Sequence, residues 1–574
     1  MEKNILSIDI GTSSVKISIV AIHNDRSNSF EIKSQSKCYY DTKRIRANNL
    51  PSNHSQQNVQ VIFETIDDAL KCMEFNVRID SITVCGQMHS CVLWNHRLFV
   101  DPFDPNNLRF DMISDNYDWT DGRCDENFLK TLPTPISFAD KVSSGFGCAS
   151  LFWLKRFQPH YIDQFDRCGT IMDWFVCLLC RLDIVPISIQ NAHAWAYFDP
   201  IKPGWNLDIL KQAEFPIHLL PKPFESNVIV GQTQFQWHSI IEPGIPVYIA
   251  IGDLQAMMHL ALKDNPNAIV LNMGTSAQIC RLLVDKDGTL RIPRKSQLPV
   301  QSYDYYPFKN NEYLLVAPSL NGGNVLQSFM GFLQSTVKCL TNNELTREEI
   351  WDKIFHKSPE EFSNHDDNDD NDQSDERFIS IKPTLFGERH DLSSVFSVNI
   401  TGAKQPSLFN VINCLCIELI QNVFNMMPNV CETIRNNFNQ KISTKIICTG
   451  SVMANNPILQ RSLLIVIKRI LLNENKSENK NNDEITNLLT SSLIDIEYVD
   501  KCDADVGCAL FLISQSTNDT GAMIRRMDVD RNLMLFINGR PLPASSSITL
   551  STIQIRNRMN GQQIPLRIMA RRVG

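Results

Sequence analysis

At 574 residues the chain is too long for one ordinary hydrophobic core, so two or three domains are expected, and its 43% hydrophobic and 21% charged content is that of a globular protein. A formal net charge of −8 gives no general case for nucleic acid or an anionic membrane as a partner. No run approaches the ~20 apolar residues of a bilayer span, and no signal-peptide pattern precedes the first strand, so a cytoplasmic protein is expected.

The first element reads as strand, tight turn, strand. Ile5, Leu6, Ile8 and Ile10 lead into Gly11-Thr12-Ser13-Ser14, and Val15, Ile17 and Ile19 leave it. Glycine permits the turn and lets backbone N–H groups approach an oxyanion, while the hydroxyls of Thr12 and Ser13 add donors. Asp9 can hold a magnesium-water shell, or can stabilise the turn. Val59 to Met73 follows as a helix with Ile62, Ile66, Ala69 and Leu70 on one side, and Ser81 to Val84 as a strand. Trp174 to Cys180 is continuously apolar. Its Cys177 and Cys180 read as buried core, because no second pair with zinc-ligand spacing accompanies them, and seventeen scattered cysteines suit reduced thiols better than a disulfide framework.

Val247 to Ile251 is a strand that turns at Gly252 into a helix-like Leu254 to Leu262. Asp253 at that junction is either a base aimed into a cleft or a helix cap. The phosphate-cradling turn then recurs, with Ala268 to Leu271 leading into Asn272-Met273-Gly274-Thr275-Ser276. Two such hairpins half a chain apart suggest two α/β domains, residues 1–258 and 259–515, gripping one polyphosphate from opposite sides. Residues 365–376 and 473–484 are almost wholly polar and are expected to be disordered surface loops. The Asp- and Asn-rich run in the first lacks the glycine and terminal Glu of a calcium loop. The arginine-rich tail, 516–574, offers short strands at Leu533 to Ile537 and Ile548 to Ile555 with Asn538-Gly539 as a turn, and no assignable chemistry.

Seven further motifs stand in order along the chain: Gly86-Gln87-Met88-His89, Trp119-Thr120-Asp121-Gly122-Arg123-Cys124, Gly145-Phe146-Gly147-Cys148-Ala149, Gly252-Asp253-Leu254-Gln255, Asn321-Gly322-Gly323-Asn324-Val325-Leu326, Gly387-Glu388-Arg389-His390 and Asp503-Ala504-Asp505-Val506-Gly507. With them the chain, from about residue 4 to 515, resembles the FGGY family of carbohydrate kinases. The resemblance implies an α/β fold of two actin-like (ribonuclease H-like) domains flanking a catalytic cleft, with the sugar held mainly by the first domain and ATP mainly by the second. It implies transfer of the γ-phosphoryl of ATP to a terminal hydroxyl. The Gln-Met-His, Asp-Gly-Arg-Cys and Gly-Phe-Gly-Cys-Ala elements point to the sedoheptulose branch rather than to glycerol or xylulose kinases, with sedoheptulose 7-phosphate and ADP as products.

On that resemblance Asp253 is the catalytic base, and Gln87, Met88, His89, Trp119, Asp121, Asp253 and Gln255 form the sugar-reading set, with Asn191 to Trp195 as a further candidate. Thr12, Ser13 and Lys16 face the transferred phosphate, Gly274 and Thr275 the nucleotide phosphates, and Gly322, Gly323, Gly450, Ser451 and Asn455 the adenosine end. Asp9 and Asp253 would hold Mg2+. Plainer roles stand beside these: His89 as a structural histidine, Trp119 as core, and Lys16 on the solvated face of a strand. Two departures carry expectations. Cys448 stands where a glycine is usual, which predicts a bulkier wall of the ATP pocket, and Leu254 replaces the polar residue of glycerol kinases, which argues against a glycerol-like site. The competing functions are a kinase of another ketose or polyol, such as xylulose, on the same scaffold and a non-catalytic, nucleotide-gated interaction protein.

Overall fold

The computed structural model describes residues 2–23, 29–46, 50–74, 77–98, 108–136, 142–283, 302–309, 312–355, 379–388, 390–391, 393–401, 407–472, 493–499 and 502–511, together with the backbone of 533–537, 540–541 and 568–572. Both polar insertions, Arg389, the Asn538-Gly539 turn and the expected strand at Ile548 to Ile555 lie outside the described residues. Residues 1–511 form one compact unit and 512–574 a second, whose strands Leu533–Ile537, Arg540–Pro541 and Ile568–Arg572 make a small antiparallel sheet.

The first unit contains two large sheets built to one plan. In the first, β1 (Glu2–Ile10) and β2 (Ser14–His23) pair antiparallel from Glu2↔His23 to Ile10↔Val15, and β3 (Phe30–Tyr39) adds antiparallel to β2. On the other side of β1, β4 (Ser81–Gly86) runs parallel to it, and β5 (Ile229–Gln232), β6 (Pro246–Tyr248) and β7 (Ile251–Gly252) complete the edge. In the second sheet, β8 (Ile269–Met273) and β9 (Ala277–Leu283) form the hairpin, with β10 (Asp304–Pro307) and β11 (Tyr313–Ser319) antiparallel on the β9 side. There β12 (Thr444–Thr449) and β13 (Ile494–Val499) run parallel on the β8 side. The strand orders are β5-β6-β4-β1-β2-β3 and β10-β11-β9-β8-β12-β13, so each phosphate-type turn lies at the same place in its own sheet.

The central strands are covered on both faces, which is why β1 reads as a continuous apolar run rather than an alternating one. Its buried Ser7 is satisfied across the sheet, accepting from the Thr83 hydroxyl at 2.9 Å. One face carries helix α1 (Val59–Lys71), capped by the Asn58 side chain on the Val61 N–H, and α2 (Ile171–Cys180), which is buried at every position including Cys177 and Cys180. All seventeen cysteines are free. Behind the second sheet lies α6 (Leu408–Asn425); α3 (Ile189–Ala194), α4 (Asp253–Ala261) and α5 (Gly323–Thr341) precede it in the chain. Among the described residues α6 alone is long and apolar enough to cross a membrane, yet its Ile412, Leu415, Leu419 and Ile420 are buried in the core of the second sheet.

Two helices join the sheets. On one side α4 places Leu254 and Met258 in a cluster with Val270 of β8, Cys280 of β9, Val316 of β11 and Ile447 of β12. On the other, α4 packs against α8 (Ala504–Phe511; α7, Ser451–Asn455, comes before it), and α8 also contacts β1, β2 and β4. Cys85, Ile251, Ala256, Ala504, Cys508 and Phe511 form the cluster that seats it. By its position α8 falls in the 259–515 half expected to form the second domain, but the helix belongs to the face of the first sheet. Apolarity reveals that a helix is buried but not which sheet buries it.

The α8 seat depends on Gly507. A Cβ there would lie 1.9 Å from the Ala256 carbonyl oxygen of α4, a backbone group with little room to yield. Gly507→Ala is therefore expected to destabilise the unit by about 1–3 kcal/mol or more, read as a lower denaturant midpoint. A midpoint equal to that of the parent would contradict this packing.

Candidate active site

Among the described residues Lys16 is the basic side chain drawn into a group of four carboxylates. Asp9 is the penultimate residue of β1, paired across the hairpin with Lys16 and across the parallel strand with Cys85. The turn before α8 brings Asp503 to Lys16, Nζ to Oδ1 at 2.7 Å, and α8 itself brings Asp505, whose Oδ2 accepts from the Ser18 hydroxyl and, at 3.4 Å, from Gln35 Nε2. Burial raises the Asp9 carboxyl well above the ordinary carboxylate range, and the charges of Asp253, Asp505 and Asp503 add to it, with Lys16 opposing. Burial also disfavours the Lys16 charge, but the hydrogen bond and charge of Asp503 outweigh it and lift the lysine above its usual value. Asp9 Oδ1 and Asp505 Oδ1 are buried with no hydrogen-bond partner. Among the described residues no three or more His, Cys, Asp or Glu side chains are arranged as a metal cage. What the site offers a cation is the unpartnered Asp9 oxygen within the electrostatic reach of Asp253.

Asp253 is the first residue of α4, and Gly252 holds the N-cap position. Its Oδ1 accepts only a local bond, from the Leu254 N–H at 2.7 Å, so the cap reading does not account for the carboxylate. Burial pushes its pKa up to about 6, with the backbone bond and the charge of Lys16 opposing. A half-buried carboxylate with that value can accept a proton near neutral pH.

The sugar-reading candidates divide into two groups. His89 and Trp119 are half-buried: Nδ1 of His89 bonds the Ala194 carbonyl at 2.7 Å, which requires the proton on Nδ1, and Trp119 Nε1–H donates to Thr12 Oγ1 at 2.9 Å. Trp119 thus steadies the first phosphate-type turn. Gln87 is buried, and its amide donates to the Gly11 carbonyl and to Gln57 Oε1, both at 2.9 Å. Met88 is packed in the apolar cluster with Leu254 and Met258. Gln255 is fully buried with both amide atoms unpartnered.

Asp121 departs from the expectation. Its carboxylate is wholly covered, with Oδ1 accepting from the Ser55 N–H at 2.9 Å and Oδ2 paired with the Arg123 guanidinium, which lies over the Tyr117 ring at 4.4 Å. One oxygen is engaged by the Ser55 N–H and the other by the buried ion pair, so in this structure Asp121 fixes the loop. Gln57 and Asn116 were missed by sequence reasoning. Gln57 Nε2 donates to the Thr12 carbonyl at 2.7 Å, and its Oε1 also accepts from Asn116 at 2.9 Å, so the Gln57–Gln87–Asn116 group pins the turn. No spacing signal marks either residue in its polar stretch.

Thr12 is half-buried and Ser13 exposed on the first turn, and Gly274 and Thr275 hold the matching places on the second. The glycines assigned to the adenosine end bring backbone onto this second turn. The Gly323 N–H donates to the Gly274 carbonyl at 2.9 Å, where an added Cβ would come within 2.5 Å of that oxygen. Gly450 has φ +91°, and a Cβ would lie 2.4 Å from the Met273 oxygen; Gly322 is as tight against Ser276. Ser451 and Asn455 are exposed on α7, tied by Asn455 Nδ2–H to the Ser451 carbonyl at 3.0 Å. Cys448 does not form the expected pocket wall. It is fully buried in the core behind the second sheet, whereas its strand neighbour Thr449 points the other way and donates to Asn272 Oδ1 at 3.0 Å.

No protein-family model matches the sequence. Sedoheptulokinase from Mus musculus is 30% identical over 473 residues, covering 80% of this chain and 91% of that protein. Sedoheptulokinase from Homo sapiens is 31% identical over 434 residues, covering 74% and 85%. The chain belongs to the FGGY carbohydrate kinase family. As such a kinase it is a phosphotransferase with an alcohol acceptor, built on two actin-like domains. Among solved structures, the gluconate kinase of Lactobacillus acidophilus superposes on this kinase with a TM-score of 0.61 at 15% identity over 90% of each chain, a likeness of fold.

A base works only when unprotonated. With the Asp253 carboxyl at about 6, kcat/KM is expected to be full near neutral pH and to fall about tenfold per pH unit on the acid side of that value. A rate that stays flat well below pH 6 would remove Asp253 from proton transfer.

Proposed function

We propose that the kinase transfers the γ-phosphoryl of ATP to the terminal hydroxyl of sedoheptulose, giving sedoheptulose 7-phosphate and ADP. The observation that carries this reading is Asp253, a carboxylate poised to accept a proton beside Asp9 and Lys16 in a chain similar to sedoheptulokinases over most of its length. A sugar hydroxyl attacks phosphorus poorly unless a base orients it and takes its proton as the new P–O bond forms and the bond to the ADP oxygen breaks.

The other residues position and neutralise. Residues 1–258 hold the sugar, with His89 and Trp119 at its hydroxyls, and residues 259–515 hold the nucleotide. Backbone N–H groups of the two turns, with the hydroxyls of Thr12, Ser13 and Thr275, take the phosphate oxygens. Lys16, held by Asp503, supplies positive charge at the transferred group. The unpartnered Asp9 oxygen beside Asp253 fits a hydrated Mg2+, which when bound would neutralise phosphate charge. Gly322, Gly323 and Gly450, together with Ser451 and Asn455, border the adenosine end. Gln87 acts through the turn it pins, and Gln255, unpartnered beside Asp253, is the remaining polar group that a sugar hydroxyl can satisfy.

Asp253→Ala is expected to leave ATP binding near the parental level while lowering kcat by on the order of 10²–10⁴. Sugar-dependent ADP release across ketoses and polyols of three to seven carbons should be fastest with sedoheptulose. Turnover of the variant close to that of the parent would end the assignment of the base, and faster release with a pentulose or with glycerol would end that of the substrate.

A further inference from the structure

A pocket is lined by residues from both halves of the chain. Ser143, Phe146 and Ala194 come from the first half, and Asp304, Tyr306 and His390 from the second. His89 joins this pocket to the site of the reaction. Its ring lies flat on Phe146 with centroids 4.5 Å apart and edge-on to Tyr306 at 6.5 Å, and its Nδ1–H meets the Ala194 carbonyl. Met88, the preceding residue, shares one buried cluster with Ala194, Tyr306 and Leu254, and its Cβ lies 3.1 Å from where a Cβ on Gly252 would stand. Gly252 immediately precedes Asp253. One continuous wall therefore runs from the base to the pocket.

The lining suits one kind of ligand. Phe146, Tyr306 and Ala194 offer an aromatic and apolar surface to the C–H face of a sugar chain. Asp304, Ser143 and His390, each half-buried, stand where hydroxyls entering the pocket can be paired. A site that pairs the hydroxyls of a longer ligand discriminates against one too short to reach it, because the shorter ligand forgoes those bonds. The Asp253 end of the wall meets the hydroxyl that reacts, so the pocket receives what lies farther along the chain. Neither Asp304 nor Tyr306 belongs to the motifs by which the sequence resembles its family.

We propose that this pocket holds the hydroxyls at the end of the ketose remote from the one phosphorylated, and that Asp304 and Tyr306 thereby select a seven-carbon over a five-carbon ketose. The proposal rests on the sedoheptulose reading above and adds to it the residues that measure chain length. Because the pocket takes lining from both halves, chain length is read across the cleft rather than within the sugar-holding half alone.

The test is ADP release by the full chain, with sedoheptulose and xylulose varied at saturating ATP and ATP varied at saturating sedoheptulose, for the parent, Asp304→Asn, Tyr306→Phe and Ser143→Leu, the last of which fills the pocket. Xylulose is read by its KM, or by its competitive inhibition constant if it is not turned over. The expected result is a rise of at least about tenfold in the sedoheptulose KM for Asp304→Asn and Ser143→Leu, with the xylulose constant and the ATP KM within about twofold of the parent. Tyr306→Phe, which keeps the ring, should shift the sedoheptulose KM in the same direction by less. Parental constants for both sugars in all three variants, or equal losses for both sugars, would overturn the pocket while leaving the sedoheptulose reading intact. A parent that releases no ADP with either sugar would overturn both.

Discussion

Asp503 holding Lys16 is the contact on which the rest of the site depends. The charges of Asp253, Asp503 and Asp505 act on the buried Asp9, and among the described residues Lys16 is the positive side chain that opposes them. Such a grouping is unfavourable by itself, since burial and like charge both resist ionisation. It persists because apolar packing on either side imposes it: the Cys85, Ile251, Ala256, Cys508 and Phe511 cluster seats α8, and the Leu254 and Met258 cluster seats α4 on the second sheet. Stability elsewhere sustains this centre, and burial within it holds the Asp253 carboxyl at about 6.

The same two helices explain how the halves of the kinase communicate. Each sheet carries its own glycine-containing turn, and each turn is immobilised differently. The first is held by side chains, with Gln57, Gln87 and Trp119 bonding the carbonyls of Gly11 and Thr12 and the Thr12 hydroxyl. The second is held by backbone, with Gly322, Gly323 and Gly450 close enough to touch it. Phosphoryl transfer needs donors fixed before the charge develops more than it needs covalent chemistry. Two held turns, on sheets joined through α4 and α8, suit that need, and Asp253 stands at the start of one of the joining helices.

Much of this was legible in the sequence, and what was not has specific causes. The hairpins stand out because their apolar flanks and small hydroxyl-bearing turns are local patterns, and the strand-to-helix junction at Asp253 is local too. The partner of Lys16 lies 487 residues away, and a pairing at that separation leaves no trace in either segment. Gln57 sits in an unremarkable polar stretch, and only the fold brings it beneath Thr12. Asp121 was assigned by resemblance, which carries no information on burial, and in the structure its carboxylate is covered by the Ser55 N–H and Arg123. The Cys448 expectation failed on parity: one residue along a strand exchanges one face of the sheet for the other, and Cys448 lies on the core side. The seat of α8 was misassigned because its apolar residues suit either sheet.

The central claim is that this charged centre couples ATP cleavage to an acceptor sugar. The most direct measurement is the stoichiometry of products when the purified chain is incubated with ATP, Mg2+ and sedoheptulose, with ADP assayed enzymatically and sugar phosphate by phosphorus NMR. The account predicts one phosphorylated sugar for every ADP, and negligible ADP when the sugar is left out. ADP that accumulates without sugar phosphate, at a rate the sugar does not change, would contradict it.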